Sequence, residues 1–313
     1  MEYAQKLGKS ISRLGFGGAA VSGEGMGYGF GEISEAEAGK LLLSSWEAGI
    51  NLYDFAPVYG FNLAEKRAGE AFKRMREKVF FISKSGVDWH DNGRINMSND
   101  PKVALKMLDQ TLKNFQSDYV DIYMVHWPDS RVDIRSTLET LYTAKIKGKI
   151  CHLGLCNTNL EDLKKAKEVC PVEAVQMEVN LFRQNNFQEL EPELEKDVLT
   201  MGWGTYDKGV LAGTVSVERS FESSDCRSWA PWWKKSDWKE RVRKKNKLAK
   251  KFNLSASDLA ALALAYSQRT ADTSLCGMKN DRHLRENIKR LQDKADFSDS
   301  SKWEEILGEF SLL

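Results

Sequence analysis

Short apolar runs alternate along the chain with longer segments of helical period. Residues 14–18 (LGFGG), 51–56 (NLYDFA), 79–85 (VFFISKS), 120–126 (VDIYMVH), 151–156 (CHLGLC), 174–179 (AVQMEV), 199–204 (LTMGWG) and 273–278 (TSLCGM) each read as a strand. They are continuously apolar rather than alternating, which predicts parallel strands covered on both faces. The segments between them read as helices. Residues 34–49 open on Ser34, with Glu37 three positions later, and close on Gly49, a capped helix. Residues 99–115 begin with Asp100 as a cap and Pro101 at the first helical position. Residues 138–149 end at Gly148, and residues 252–268 read as a buried helix capped by Ser255.

Strand and helix thus alternate eight times, and no Pro/Gly/Ser-rich linker divides the chain. The pattern predicts an α/β fold, a (β/α)8 TIM barrel formed by residues 1–313 as one domain. An extended loop and helix region follows the seventh strand, at about residues 214–252. A doubly wound sheet is the competing architecture. It prefers a glycine-rich loop running straight into a helix. Residues 14–31 are rich in glycine, but no helix follows their strand directly, so the segment reads better as a loop over a site.

Composition narrows the function classes. The chain has 313 residues, 42% of them hydrophobic, and a formal charge of +1, so its overall field favours neither nucleic acid nor an anionic membrane. No long uncharged apolar run predicts a membrane span, and the N-terminus lacks the apolar stretch of a signal peptide. Five cysteines without CxxC spacing predict reduced thiols and a cytoplasmic protein, with Cys151, Cys170 and Cys226 as buried structural residues. The basic stretch 239–252 reads as a solvated helix face.

Candidate chemistry lies at strand ends. Asp54 ends the second strand, Lys84 the third and His126 the fourth, and Tyr59 stands just past Pro57. Barrel enzymes build their sites at this end, so the four residues are expected to converge. A carboxylate in an apolar run needs a partner, and Lys84 supplies the cation. An ammonium beside a phenol lowers the phenol's pKa, so Tyr59 is expected to exchange a proton near neutral pH. His126 then orients a carbonyl oxygen. Such a set moves a proton but supplies no electrons, and the four scattered histidines offer no metal-ligand spacing. A hydride-donating cofactor completes it.

The motifs LGFGG, D-x-A-x-x-Y-G around Asp54 and Tyr59, ISKSG around Lys84, VDIYMVHWPD around His126 and G-x-x-N at Gly154–Asn157 resemble those of the aldo-keto reductases over essentially the whole chain. The resemblance implies a TIM barrel that uses NADPH, or NADH, without a Rossmann domain. It implies an Asp54–Tyr59–Lys84–His126 tetrad with Tyr59 as general acid and a small-molecule carbonyl substrate. It also places cofactor contacts, at Gly18, Asp54 and Cys156, with Asn157 and Gln176 on the nicotinamide carboxamide and Trp203 against its ring. Gly204, Thr205, Tyr206 and Lys208 match the loop over the pyrophosphate. Gly277, Met278, Lys279, Asn280, His283, Glu286 and Asn287 match the adenosine segment, with Lys279 for a 2′-phosphate.

Two positions depart from the family pattern. Cys156 stands where Ser is frequent, and His283 where Arg or Gln is common. Trp89 and Trp127, together with His90, are expected to line the substrate pocket. Residues 228–238 (SWAPWWKKSDW) place four tryptophans either over the site or docked on the barrel. Two other readings stay open: a cofactor-binding regulatory subunit with little turnover, and physiological oxidation of an alcohol or sugar. Whether a protein partner binds is left open.

Overall fold

The eight apolar runs form the eight parallel strands of a closed barrel in a computed structural model, which describes residues 1–23, 27–292 and 300–311. The strands are β1 (Leu14–Gly17), β2 (Leu52–Asp54), β3 (Phe80–Ser85), β4 (Val120–Val125), β5 (Ile150–Cys156), β6 (Ala174–Glu178), β7 (Leu199–Trp203) and β8 (Thr273–Cys276). Each pairs with its neighbours in sequence, and β8 returns to β1, so no edge is left open. This is the (β/α)8 TIM barrel expected from the alternation.

Two layers of core follow from the two-residue period of a strand. Leu52, Ile82, Ile122, Met124, Met201 and Leu275 pack together in the interior. Phe16, Tyr53, Phe81, Tyr123, Leu153 and Val175 belong to the layer shared with the helices. Stepping two residues along each inward row reaches Asp54 from Leu52, Lys84 from Ile82, and His126 from Met124. The rule that fills the barrel with aliphatic side chains therefore turns polar ones into its C-terminal mouth.

The helices are α1 (Glu35–Glu47), α2 (Leu63–Phe72), α3 (Pro101–Phe115), α4 (Ile134–Ile146), α5 (Leu160–Val169), α6 (Pro231–Lys234), α7 (Trp238–Lys251), α8 (Ala256–Thr270), α9 (Asp281–Gln292) and α10 (Ser300–Ser311). Ser34 forms the expected capping box with Glu37, and Ser255 forms another with Asp258. Asp100 caps α3 by accepting from the Lys102 N–H. The helix expected from residue 138 starts earlier, because Asp133 caps it through the Arg135 N–H.

One of the eight units departs from the alternation. After β6 the described chain carries only a 3-10 turn at Glu191–Glu193. Pro192 and the Asn/Gln-rich residues before it disfavour a longer helix. After β7 come α6 and α7, within the expected 214–252 region, before α8. Cys151 is exposed, contrary to expectation, whereas Cys170 and Cys226 are buried. No helix among the described residues is long and apolar enough to cross a membrane.

Two antiparallel hairpins flank the barrel. Tyr3–Lys6 pairs with Lys9–Ser12 through a turn at Leu7 (φ 55°) and Gly8 (φ 68°). Both central residues are left-handed, as the tightest hairpin turn requires. Ile11, 0% exposed, packs with Leu52, Ile82 and Leu199 and closes the N-terminal end of the barrel. The sequence reading missed this hairpin because its strands are four residues long and largely polar. The second hairpin, Val87–Trp89 with Ile95–Met97, rises beside the mouth.

Candidate active site

Lys84 is fully buried, and its Nζ donates to Asp54 Oδ1 at 2.5 Å and to the Phe55 carbonyl at 2.9 Å. Burial alone lowers an ammonium's pKa, but the Asp54 carboxylate and Tyr59 outweigh it, and the net direction is up. Lys84 is therefore charged. Its Nζ lies 5.5 Å from the centre of the Tyr59 ring.

Tyr59 sits on the turn made by Pro57 and Gly60, with its N–H bonded to the Ala56 carbonyl at 3.0 Å. Its ring meets His126 edge to face, the centroids 6.1 Å apart. Burial raises the phenol pKa; Lys84 pulls it down, yet the balance is upward. This corrects the expectation that the ammonium wins. Desolvation is the largest cause, because the phenol lies deep in the fold where it lines the cavity. At neutral pH the phenol holds its proton.

Burial and the Lys84 charge both depress the His126 pKa, so the imidazole is neutral. A histidine depressed in the folded state contributes fully above its unfolded value of about 6.5 and loses that contribution as pH falls below it. The loss of melting temperature between pH 7 and pH 5 is accordingly expected to be shallower in His126→Gln. Calorimetry at both pH values checks this; equal losses would show that His126 carries no such linkage.

Behind the mouth, Gln176 Nε2 donates to Asp54 Oδ1 at 3.0 Å, and Cys156 Sγ donates to Gln176 Oε1 at 3.1 Å. Asn157, left-handed at φ 52°, donates from Nδ2 to the His126 carbonyl and to Cys156 Sγ, both at 3.1 Å. Its Oδ1 accepts from Trp203 Nε1 at 2.9 Å. After these bonds Asn157 keeps one oxygen lone pair and Gln176 one N–H. A carboxamide needs one acceptor and one donor, so the residues present fit the group the resemblance implies.

A cavity of about 670 Å³ extends from Tyr59, His126 and Trp127 along Trp203 and residues 204–209 to His283, Glu286 and Asn287. Gly18, Gly204, Thr205, Tyr206, Lys208, Gly277 and Lys279 also line it. At Gly18 a Cβ would come within 2.6 Å of the Asp54 carbonyl and 2.2 Å of the Phe55 ring, so only glycine lets these segments approach. Met278 faces the hydrophobic layer instead, and Asn280 Oδ1 accepts from the His283 N–H at the start of α9. Lys84, Cys156, Asn157 and Gln176 stand behind the lining rather than in it. Trp89 and His90 do not line the cavity. Trp89 stacks on Phe61 at 4.6 Å, and the hairpin reaches the cavity through Val87, Ile95 and Met97. Among the described residues no cluster suits a metal ion.

The tryptophan-rich segment divides between the two expectations. Trp232 lines the cavity and lies near Tyr28, which stacks on Trp229 at 5.4 Å. Trp233, 2% exposed, stacks on Trp238 at 5.2 Å while also reaching the cavity wall.

Sequence reasoning missed Arg241. Read as part of a solvated basic face, it is buried and donates to Asp207 Oδ2 at 2.6 Å. Asp207 (φ 44°) and Lys208 (φ 55°) are consecutive left-handed residues without the freedom of glycine. Lys208 pairs with Glu178 at 2.5 Å, and its carbonyl accepts from Arg227 at 2.6 Å. Arg241 therefore holds a strained turn against the cavity. Arg241→Ala is expected to cost about 1–3 kcal/mol by stranding a buried acceptor. It should also weaken nicotinamide-nucleotide binding, as urea denaturation and fluorescence titration would record. The only signal in the sequence was its i, i+4 spacing from Asp237, which shares its guanidinium.

The aldo/keto reductase family model matches residues 13–307. The chain is 31% identical over 293 residues to the aldo-keto reductase YhdN of Bacillus subtilis, covering 91% of this chain and 87% of that one. It is 27% identical over 304 residues to the NADP(+) aldo-keto reductase yakc of Schizosaccharomyces pombe, covering 93% and 87%. Over 95% of both chains it is 24% identical to the NADH-specific methylglyoxal reductase of Escherichia coli. The fold matches that of the glycerol dehydrogenase AKR11B4 from Gluconobacter oxydans, with a TM-score of 0.79 at 23% identity over 97% and 94% of the two chains. With its barrel, its buried Lys84–Asp54 pair and a match over nearly its whole length, the chain belongs to the aldo/keto reductase family, NAD(P)H-linked oxidoreductases of carbonyl and alcohol groups.

Proposed function

We propose that this protein reduces an aldehyde or ketone to the alcohol with NADPH, and that Tyr59 is the proton donor. The observation that carries this reading is the buried Lys84–Asp54 pair directly behind Tyr59, which lines the cavity. Bound NADPH supplies the hydride. The chain's own residues do the rest. Tyr59 presents its O–H to the carbonyl oxygen, and the charged Lys84 stabilises the phenolate left after transfer. Neutral His126 donates a second hydrogen bond to the same oxygen. Asp54 holds Lys84 in place. Asn157 and Gln176 offer the carboxamide its partners, and Trp203 offers a flat face.

Preference for NADPH is supported by Lys279, just before α9, and His283 in the first turn of that helix, both beside the cavity. The substrate side, walled by Val58, Val87, Ile95, Met97 and Trp127, suits an apolar substituent on the carbonyl. NADPH and NADH consumption measured against aldehydes, ketones and sugars tests the proposal. Turnover fastest with NADPH and an apolar carbonyl is the expected result. Tight NADPH binding without turnover on any member of the panel would favour a regulatory role instead.

A further inference from the structure

Five side chains behind the mouth form a hydrogen-bonded chain in which every donor points the same way. Trp203 Nε1 donates to Asn157 Oδ1, Asn157 Nδ2 to Cys156 Sγ, Cys156 Sγ to Gln176 Oε1, and Gln176 Nε2 to Asp54 Oδ1. The links measure 2.9, 3.1, 3.1 and 3.0 Å. Asp54 Oδ1 receives Lys84 as well.

The polarity is fixed from both ends. An indole N–H only donates, so Asn157 must turn its oxygen to Trp203 and its amide nitrogen to the thiol. A carboxylate paired with an ammonium only accepts, so Gln176 must turn its nitrogen to Asp54 and its oxygen to the thiol. Cys156 is thereby caught between one donor and one acceptor, and its proton points at Gln176. Cys156 and Gln176 are each 1% exposed, so water does not substitute for a broken link. In such a setting successive hydrogen bonds polarise one another.

We propose that this chain makes Trp203 and Cys156 positioning residues for the Asp54–Lys84 pair. The aromatic wall of the cavity and the charge pair behind Tyr59 are then set together, through a thiol. For its kinetic consequence, though not for its existence, the proposal rests on the reading of Tyr59 as the acid.

Infrared spectroscopy tests the chain in the protein without added cofactor. The S–H stretch lies in a window that only thiols occupy, and subtracting the spectrum of Cys156→Ser in the same background removes the bands of the other four free cysteines. Trp203→Phe keeps a flat aromatic ring and removes only the first donor. It is expected to move the band to higher frequency as the S–H···O bond to Gln176 weakens; an unmoved band would overturn the proposal. The kinetic arm uses Cys156→Ala, which cuts the chain without removing a charge. It is expected to lower kcat several-fold at saturating cofactor and to displace the pH midpoint of kcat. Cys156→Ser, which restores a donor and acceptor at that point, should return the midpoint. A wild-type pH profile in Cys156→Ala would also count against the proposal. Failure of the Tyr59 reading would appear as turnover insensitive to Tyr59→Phe, and the infrared result would stand apart from it.

Discussion

Tyr59→Phe is expected to lose about 10²- to 10⁴-fold in carbonyl reduction while binding NADPH as the parent does. Phenylalanine keeps the ring that meets His126 edge to face and removes only the hydroxyl. Among the described residues, the two other candidates at the mouth are less well placed. Lys84 is fully buried behind the ring and engaged by Asp54 and the Phe55 carbonyl. His126 is held neutral, so it carries no imidazolium proton to surrender. Burial keeps the Tyr59 proton in place at neutral pH, as the proposed role of proton donor requires. Steady-state rates beside NADPH titration check the expectation. A variant as active as the parent would remove Tyr59 from the reaction.

Lys84→Met is expected to cost both stability and turnover. The Asp54 side chain is 6% exposed, and without Lys84 it keeps only the Gln176 amide as a partner. Breaking a buried pair from one side typically costs about 3–5 kcal/mol, because the stranded charge stays desolvated. The double variant Asp54→Asn/Lys84→Met removes both charges and should recover much of that stability, yet no activity. Urea denaturation and turnover measured on all three proteins separate the two effects. If the double variant were no more stable than Lys84→Met, the cost would lie in packing rather than in stranded charge. If it were as active as the parent, the pair would have no part in catalysis.

Much of this arrangement was legible in the sequence, for a definite reason. Parallel strands buried on both faces leave long apolar runs, and a polar residue at the end of such a run stands out. Asp54, Lys84 and His126 were found in that way, and the barrel brought them to one mouth. Tyr59 followed from Pro57 and the family motif. What the sequence concealed depended on contacts between distant segments. Arg241 looked like one more cation on a basic helix, and only the fold brings it to Asp207. Trp89 looked like its neighbour in kind, Trp127, but the hairpin turns it onto Phe61. The sign of the Tyr59 shift was misjudged because a charge partner is visible in sequence, whereas the depth of burial is not. The N-terminal hairpin escaped because short polar strands carry little periodic signal.

That hairpin has a bearing on engineering. Ile11 and its partners seal one end of the barrel, and every group proposed to touch the substrate lies at the other. Changes at well-separated sites usually add in free energy. Substrate range and thermal tolerance are therefore separable targets in this protein: a mouth redesigned for a bulkier carbonyl at Val87, Ile95 or Met97 draws on a reserve that a better-packed seal can replenish independently.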